Sequence, residues 1–264
     1  MKRLLSAAML LAVVALLSSS AAMAVKTNLG VDRVWQATPN DLTPTSERAS
    51  GRILYAPAEG DDPVLRAAIA GYTGGIVDYF DAAAATPSLE LLLRYDCVYT
   101  WVNFAYADRV LFGDNLADFV DRGGSVVLGV FCTFTAGNSL GGRIMTAGYS
   151  PVTSPSGSNH YLFDSYAGNG TTCIHAGVGA YGSTYRDYLV TQGGGFVDGT
   201  YLDGEIAHAY RSDYKVIYSN GGGAFQLGGT GDWALLVANA CACDHGPTPV
   251  ETSTWGRIKS NFRN

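Results

Sequence analysis

The sequence predicts an α/β fold: a flavodoxin-like, doubly wound, mainly parallel sheet with a C-terminal β-hairpin and flanking helices. Three observations carry that expectation. From Gly51 onward, short apolar runs alternate with segments whose apolar residues recur at helical spacing. Helix starts and stops punctuate the alternation, with Asp62-Pro63, Thr86-Pro87 and Asp108 at the openings and Gly74-Gly75 and Gly123-Gly124 at the ends. Residues 125–131 form a near-continuous apolar run, as a central parallel strand buried on both faces requires.

Residues 52–56 are the first expected strand, ended by Pro57. In the helix that follows, Asp62 caps free N–H groups and Pro63 sits where a missing N–H costs nothing. Val64, Leu65, Ala68, Ile69 and Tyr72 fall on one face of it. The second strand is expected over 76–80, then a helix opened by Thr86-Pro87 with Leu89, Leu92 and Leu93 turned inward, then a third strand over 97–102. Asp108 opens a third helix, in which Phe112, Leu116, Phe119 and Val120 repeat at helical spacing before the fourth strand. Gly and Ser crowd residues 137–170, which predicts a long irregular excursion over the carboxyl edge of the sheet. Residues 196–202 and 205–210 flank Asp203-Gly204 as a hairpin, with a further strand over 214–219. Asp232 caps a last long helix bearing Trp233, Leu236, Val237 and Ala240 on one side, and Trp255, Ile258 and Phe262 suit a short docked terminal helix.

Composition excludes several classes. With 47% hydrophobic and 11% aromatic residues the chain is too apolar for a disordered protein, and 23 acidic against 17 basic residues make it too acidic for a dedicated nucleic-acid binder. Lys2 and Arg3, an apolar stretch over 4–17 and the small-residue end Ala22-Met23-Ala24 read as a secretory signal peptide over residues 1–24. The apolar stretch is too short to span a bilayer, and no cysteine follows it as a lipid acceptor. The expected organisation is an extended lead-in over 25–50, one domain over 51–244, and a linker with a docked helix over 245–264. The expected location is secreted or periplasmic, with no membrane contact after signal removal and no nucleic-acid partner. In an oxidising compartment Cys97, Cys132, Cys173, Cys241 and Cys243 are an odd set, so at least one thiol stays outside intrachain pairing, and the spacing does not choose the pairs. Cys241 and Cys243 lack a second pair at zinc-ligand spacing, and no metal or cofactor is expected.

Open parallel sheets bind ligands beyond the carboxyl ends of their strands, where loops diverge and helix N-termini point inward. Glu59, Asp61, Asp62, Asn103, Tyr106, Asp108, Cys132, Thr133, Asn138 and Arg143 all fall in those loops and are expected to converge. The sharpest catalytic candidate is Cys132, at the end of a buried strand, with Glu59 and one of His160, His175 or His208 completing an acid–base set. Asn103, Tyr106, Thr133 and Arg143 are the ligand-binding candidates, Arg143 because Gly141-Gly142 leaves room for an anion beside its guanidinium. Against the nucleophile, Thr133-Phe134-Thr135 supplies no glycine for a strained elbow. A buried cysteine at a strand end is also a common packing choice.

Three segments carry a family resemblance: Tyr95-Asp96-Cys97-Val98-Tyr99-Thr100-Trp101, the helix from Leu116-Ala117-Asp118-Phe119-Val120-Asp121-Arg122 into Gly123-Gly124, and the apolar strand after it. The chain resembles the class I glutamine amidotransferase-like superfamily, most closely its ThuA-like (trehalose-utilisation) branch and related secreted bacterial proteins. Gly141-Gly142-Arg143, Asp203-Gly204-Glu205 and Gly231-Asp232-Trp233 extend the likeness more loosely. The resemblance implies a flavodoxin-like domain, in places linked to carbohydrate metabolism. The amidotransferase nucleophile stands in Gly-x-Cys-x-Gly, whereas Gly129-Val130-Phe131-Cys132-Thr133-Phe134 has one extra residue and no following glycine, and the His-x-Glu pair has no counterpart. The expected function is therefore a noncatalytic or weakly catalytic domain recognising a carbohydrate or another extracellular ligand at the carboxyl edge. The alternative is a Cys132-dependent hydrolase or amidotransferase-like enzyme. Trp101, Phe104, Tyr106 and Phe134 are the aromatics expected near the crevice.

Overall fold

A computed structural model describes residues 51–221 and 229–243. The expected signal peptide, lead-in and terminal helix lie outside the described residues. The strands in chain order are β1 (Arg52–Tyr55), β2 (Ile76–Tyr79), β3 (Cys97–Thr100), β4 (Ser125–Gly129), β5 (Val152–Thr153), β6 (Asn159–Ser165), β7 (Tyr181–Asp187), β8 (Val190–Thr191), β9 (Phe196–Val197), β10 (His208–Tyr210), β11 (Val216–Ser219) and β12 (Thr230–Gly231). The α-helices are α1 (Pro63–Thr73), α2 (Leu89–Leu92), α3 (Arg109–Asp121) and α4 (Trp233–Ala242).

The main sheet among the described residues has seven strands in the order β2-β1-β3-β4-β11-β10-β9. Its first five members are mutually parallel, and β10 and β9 continue it antiparallel. Every residue of β3, β4 and β11 is buried, which is why these strands read as apolar runs rather than alternations. A smaller sheet, β12-β7-β6, and the pair β5-β8 complete the strands. Helix α1 packs on α4, and α2 on α3.

Local chemistry explains most boundaries. The Asp62 carboxylate accepts from Leu65 N–H, and Gly74 exits α1 at φ 66°. Only Leu65 and Ile69 of α1 are buried, whereas Val64 and Tyr72 in its first and last turns are exposed, so the contact face is narrower than the expected one. Helix α2 is a single turn capped by Ser88 rather than by Thr86, and it buries Leu91 and Leu92. Asp108 caps α3 through Val110 and Leu111 N–H, and Phe112, Leu116, Phe119 and Val120 are buried as their spacing predicts. Asp232 precedes α4 but bonds no N–H of that helix through its side chain; it accepts instead from Gly179 and Ala180, tying a distant loop to the helix start.

The second half departs further from expectation. Residues 137–170 are not irregular throughout: β6 lies within them and pairs with β7, a strand that sequence reading missed. The reason is visible in the sequences, NHYLFDS and YGSTYRD, which mix polar and aromatic residues without a clean alternation. Their pairing also shifts register between Tyr161 and Asp164. The Asp203-Gly204 hairpin forms, with Gly204 at φ 89°, but its arms are short: β9 and β10 pair over two residues, and an isolated bridge joins Thr200 and Ile206 nearer the turn. Strand β11 starts at Val216 because Tyr214 adopts φ 58°, outside the extended region.

Cys97 bonds Cys241 and Cys173 bonds Cys243, with Cα–Cα distances of 5.5 and 5.6 Å. Both bridges anchor α4, one to the start of β3 and the other to a 3₁₀ turn over Cys173–His175. Cys132 is left as a buried free thiol. Alkylation of the unreduced protein is therefore expected to modify no cysteine in the native state and Cys132 alone after denaturation. Peptide mass mapping checks this, and a second labelled cysteine contradicts the pairing.

Candidate functional site

The carboxyl ends of the parallel strands do bring their loops together, in two tiers. On the surface, Asn103 Nδ2 donates to Glu59 Oε2 at 2.7 Å, and Asn138 Nδ2 donates to the Asn103 carbonyl at 3.0 Å. Loops following β1, β3 and β4 are thereby linked, with Phe104 beside them 57% exposed. Beneath, the Tyr106 hydroxyl bonds Thr100 Oγ1 at 2.8 Å and approaches Cys132 Sγ at 3.7 Å, inside the core. Tyr106 is thus a packing residue with a satisfied hydroxyl, not a wall of an open crevice. Trp101 is equally buried, its indole N–H donated to the Tyr55 hydroxyl.

Cys132 is fully buried, and burial pushes its thiol up to about 12, with Asp187 adding to the effect and the Tyr106 hydrogen bond opposing it. A nucleophile requires the reverse, a depressed thiol pKa and access to substrate. Neither Glu59, which serves Asn103 and the Gly60 N–H, nor His175 nor His208 is hydrogen-bonded to Cys132. The geometry does not assemble the acid–base set expected from sequence. Arg143 is not available to an anion either: it pairs with Asp118, Asp114 and Asp121 of α3, three carboxylates along one helix face. Asp61 and Asp62 are used by Arg66 and by the α1 cap.

Asp187, at the end of β7, closes the carboxyl edge over β4 and β11. Its Oδ2 accepts from Thr133 Oγ1 at 2.7 Å and from the Tyr218 hydroxyl at 2.5 Å, while its backbone N–H and carbonyl bond the Asn220 side chain. Burial drives the carboxyl up, the Thr133 and Tyr218 hydrogen bonds restrain it, and the balance is about 6. Its other oxygen, Oδ1, is buried and makes no hydrogen bond. Sequence reading missed Asp187 because the strand that carries it was missed.

His175 and His208 belong to a buried chain of a different kind. Asp198 accepts from Thr171 and Thr172 N–H, from Thr172 Oγ1 and from His175 Nδ1. His175 Nε2 lies 3.0 Å from the Tyr181 hydroxyl, which lies 3.1 Å from His208 Nδ1, and His208 Nε2 lies 2.9 Å from Ser219 Oγ. Burial would raise the Asp198 carboxyl, but the hydrogen bonds led by His175 outweigh it and hold the group well below the usual range. Burial, reinforced by His175, pushes the His208 imidazole well below its ordinary value. A neutral His208 ring has one donor and one acceptor nitrogen, and Tyr181 and Ser219 stand at its two nitrogens to serve them. Trp233 packs against both Tyr181 and His208 and seals this chain inside the fold.

Two further features frame the edge. Aromatic rings run outward from it, Phe134 against Phe131, Phe131 against Tyr185, and Tyr185 against Tyr161, with centroid separations of 5.9, 5.9 and 5.1 Å. Tyr161 ends that run 61% exposed. On the opposite face of the β6–β7 pair, buried Arg186 bonds Asp203 and Glu205, and Glu205 bonds His160. A separate cavity of about 320 Å³ lies where β1 and β3 begin, between α1 and α4; its lining groups Asp96 and Asn239 already bond backbone.

Comparison with protein-family models and with curated proteins returns no match.

Two expectations follow from the buried groups. A carboxyl whose folded value is raised stabilises the fold most when protonated, so the contribution of Asp187 is present below about pH 4 and lost as pH rises through about 6. Asp187→Asn keeps acceptors for Thr133 and Tyr218 without the charge, and is expected to match the native protein at pH 4 and exceed its stability at pH 8 by about 2–3 kcal/mol. Urea denaturation at both values measures this, and a pH-independent difference would refute it. Nitrogen-15 NMR is expected to show the His208 ring neutral at pH 5.5, where an exposed histidine is mostly charged.

Proposed function

We propose that the chain is a secreted, flavodoxin-like domain of the class I glutamine amidotransferase-like superfamily, ThuA-like in type, that recognises carbohydrate at the carboxyl edge of its sheet without catalysis at Cys132. The strand order β2-β1-β3-β4-β11, all parallel, supports the flavodoxin-like reading. Disulfides Cys97–Cys241 and Cys173–Cys243 support an oxidising compartment. The observation that carries the ligand reading is the aromatic run from Phe134 to exposed Tyr161, together with the surface amides Asn103 and Asn138 on the loops after β3 and β4. Aromatic faces stack on the C–H faces of sugar rings, and planar amides and carboxylates bond their hydroxyls. The buried, proton-retaining thiol of Cys132 weighs against the hydrolase alternative.

Co-sedimentation with insoluble polysaccharides, namely cellulose, chitin, xylan and starch, tests the proposal. The full exported chain is expected to bind at least one of them. Tyr161→Ala is expected to weaken that binding roughly threefold to tenfold, the range of one aromatic contact. Cys132→Ala is expected to leave it unchanged. A covalent adduct at Cys132 followed by turnover would establish the enzymatic alternative instead.

A further inference from the structure

This inference rests on the carboxyl-edge reading and identifies a polar anchor within it. Antiparallel register sets Asn159 of β6 opposite Asp187 of β7, and Tyr161 opposite Tyr185. Residues directly opposite one another share a face of the ribbon, with Cβ atoms about 5 Å apart. The four side chains therefore form two adjacent cross-strand rows on one face. Contacts fix which face it is: Tyr185 meets Phe131 just beyond β4, and Asp187 accepts from Thr133 and from Tyr218 of β11. The intervening pair, His160 and Arg186, points the other way, to Glu205.

Two of the four side chains carry hydrogen-bonding capacity that the protein does not use. Asn159 Nδ2 is a buried donor without a partner, and Asp187 Oδ1 is a buried acceptor without one. Buried polar atoms are nearly always paired, because an unpaired one has given up water for nothing. Here an orphan donor and an orphan acceptor stand in register and still do not bond each other. A ligand that satisfies both must offer an acceptor and a donor side by side, as neighbouring hydroxyls do. The adjacent row supplies what such a group would rest on: Tyr161 is exposed, with Tyr185 edge-on at 74°. Asn159, at the start of β6, is only partly buried, and Tyr161 two residues on stands exposed on the same face.

We propose that Asn159 and Asp187 form the polar anchor of a sugar subsite whose platform is Tyr161 and Tyr185, and that its ligand is a neutral pyranose with vicinal hydroxyls. Asn159 donates to one hydroxyl oxygen while the Asp187 carboxylate accepts the O–H of its neighbour. The ligand is neutral because Asp187 repels an anionic sugar, and the guanidinium of the preceding residue, Arg186, lies on the other face, bound to Asp203 and Glu205.

Isothermal titration of the full exported chain with maltohexaose, cellohexaose, xylohexaose and chitohexaose tests this. For whichever oligosaccharide binds, Asn159→Ala and Asp187→Asn are each expected to weaken affinity about tenfold to hundredfold, as loss of a hydrogen bond to a charged or buried partner does. Arg143→Ala, on the α3 face, is expected to have no effect. Thermal melts accompany each variant, and if Asp187→Asn does not fold, Asn159→Ala decides. Folded anchor variants that bind like the native protein would overturn the subsite, making the pair buried scaffold only; if Tyr161→Ala still weakens binding, the broader carboxyl-edge reading survives. Absence of binding to every oligosaccharide, with no polysaccharide retained either, would overturn both.

Discussion

One buried carboxylate organises this structure. Parallel strands leave their carboxyl ends splayed, and the chain closes that end with Asp187, which accepts from Thr133 after β4 and Tyr218 of β11 while its backbone engages Asn220. A single residue of the smaller sheet thus ties down the two central strands of the larger one. The arrangement keeps a carboxyl in a setting that disfavours its charge, and burial raises its pKa accordingly. Removing the hydroxyl partners would leave that carboxyl without compensation, a costlier change than losing an ordinary surface ion pair such as Arg211–Asp213.

The same closure explains the fate of Cys132. Once β7 lies over the end of β4, the thiol faces Tyr106 and the Thr100 carbonyl rather than a crevice, and the neighbouring carboxylate further opposes its ionisation. What the edge offers outward is aromatic and amide surface, not an activated nucleophile. The histidines are occupied in a parallel way, since the chain from Ser219 to Asp198 satisfies both rings internally. Disulfides then fasten α4, whose Trp233 covers that chain, to β3 and to the turn that carries His175.

Legibility in the sequence followed the periodicity. Where apolar residues repeat with a clean period and a capping residue precedes them, as in α3 from Asp108 through Val120, the element and its buried face were both readable. Where polar and aromatic residues are interleaved, as in β6 and β7, neither period dominates, and the strands became visible only through their partners. The candidate site suffered most from this. Glu59, Asn103 and Asn138 were correctly expected to converge, because strand polarity alone brings their loops to one edge. Asp187, Asn159 and Tyr181 were not foreseen, because they lie on or beside strands that had no sequence signature.

By itself, the sequence determined the parallel order of events from Gly51 to Phe131, the helix starts at Asp62 and Asp108, the glycine exits, and the odd count of cysteines. These depend on local dihedral preference, capping and the burial of short apolar runs, all of which act within a few residues. Tertiary structure alone decided which cysteines pair, that Arg143 is held by α3 carboxylates, that Cys132 is sealed, and that a carboxylate from a distant strand caps the sheet. Such outcomes depend on contacts between residues far apart in the chain, such as Thr133 with Asp187 and Cys97 with Cys241, whose energies no local pattern records.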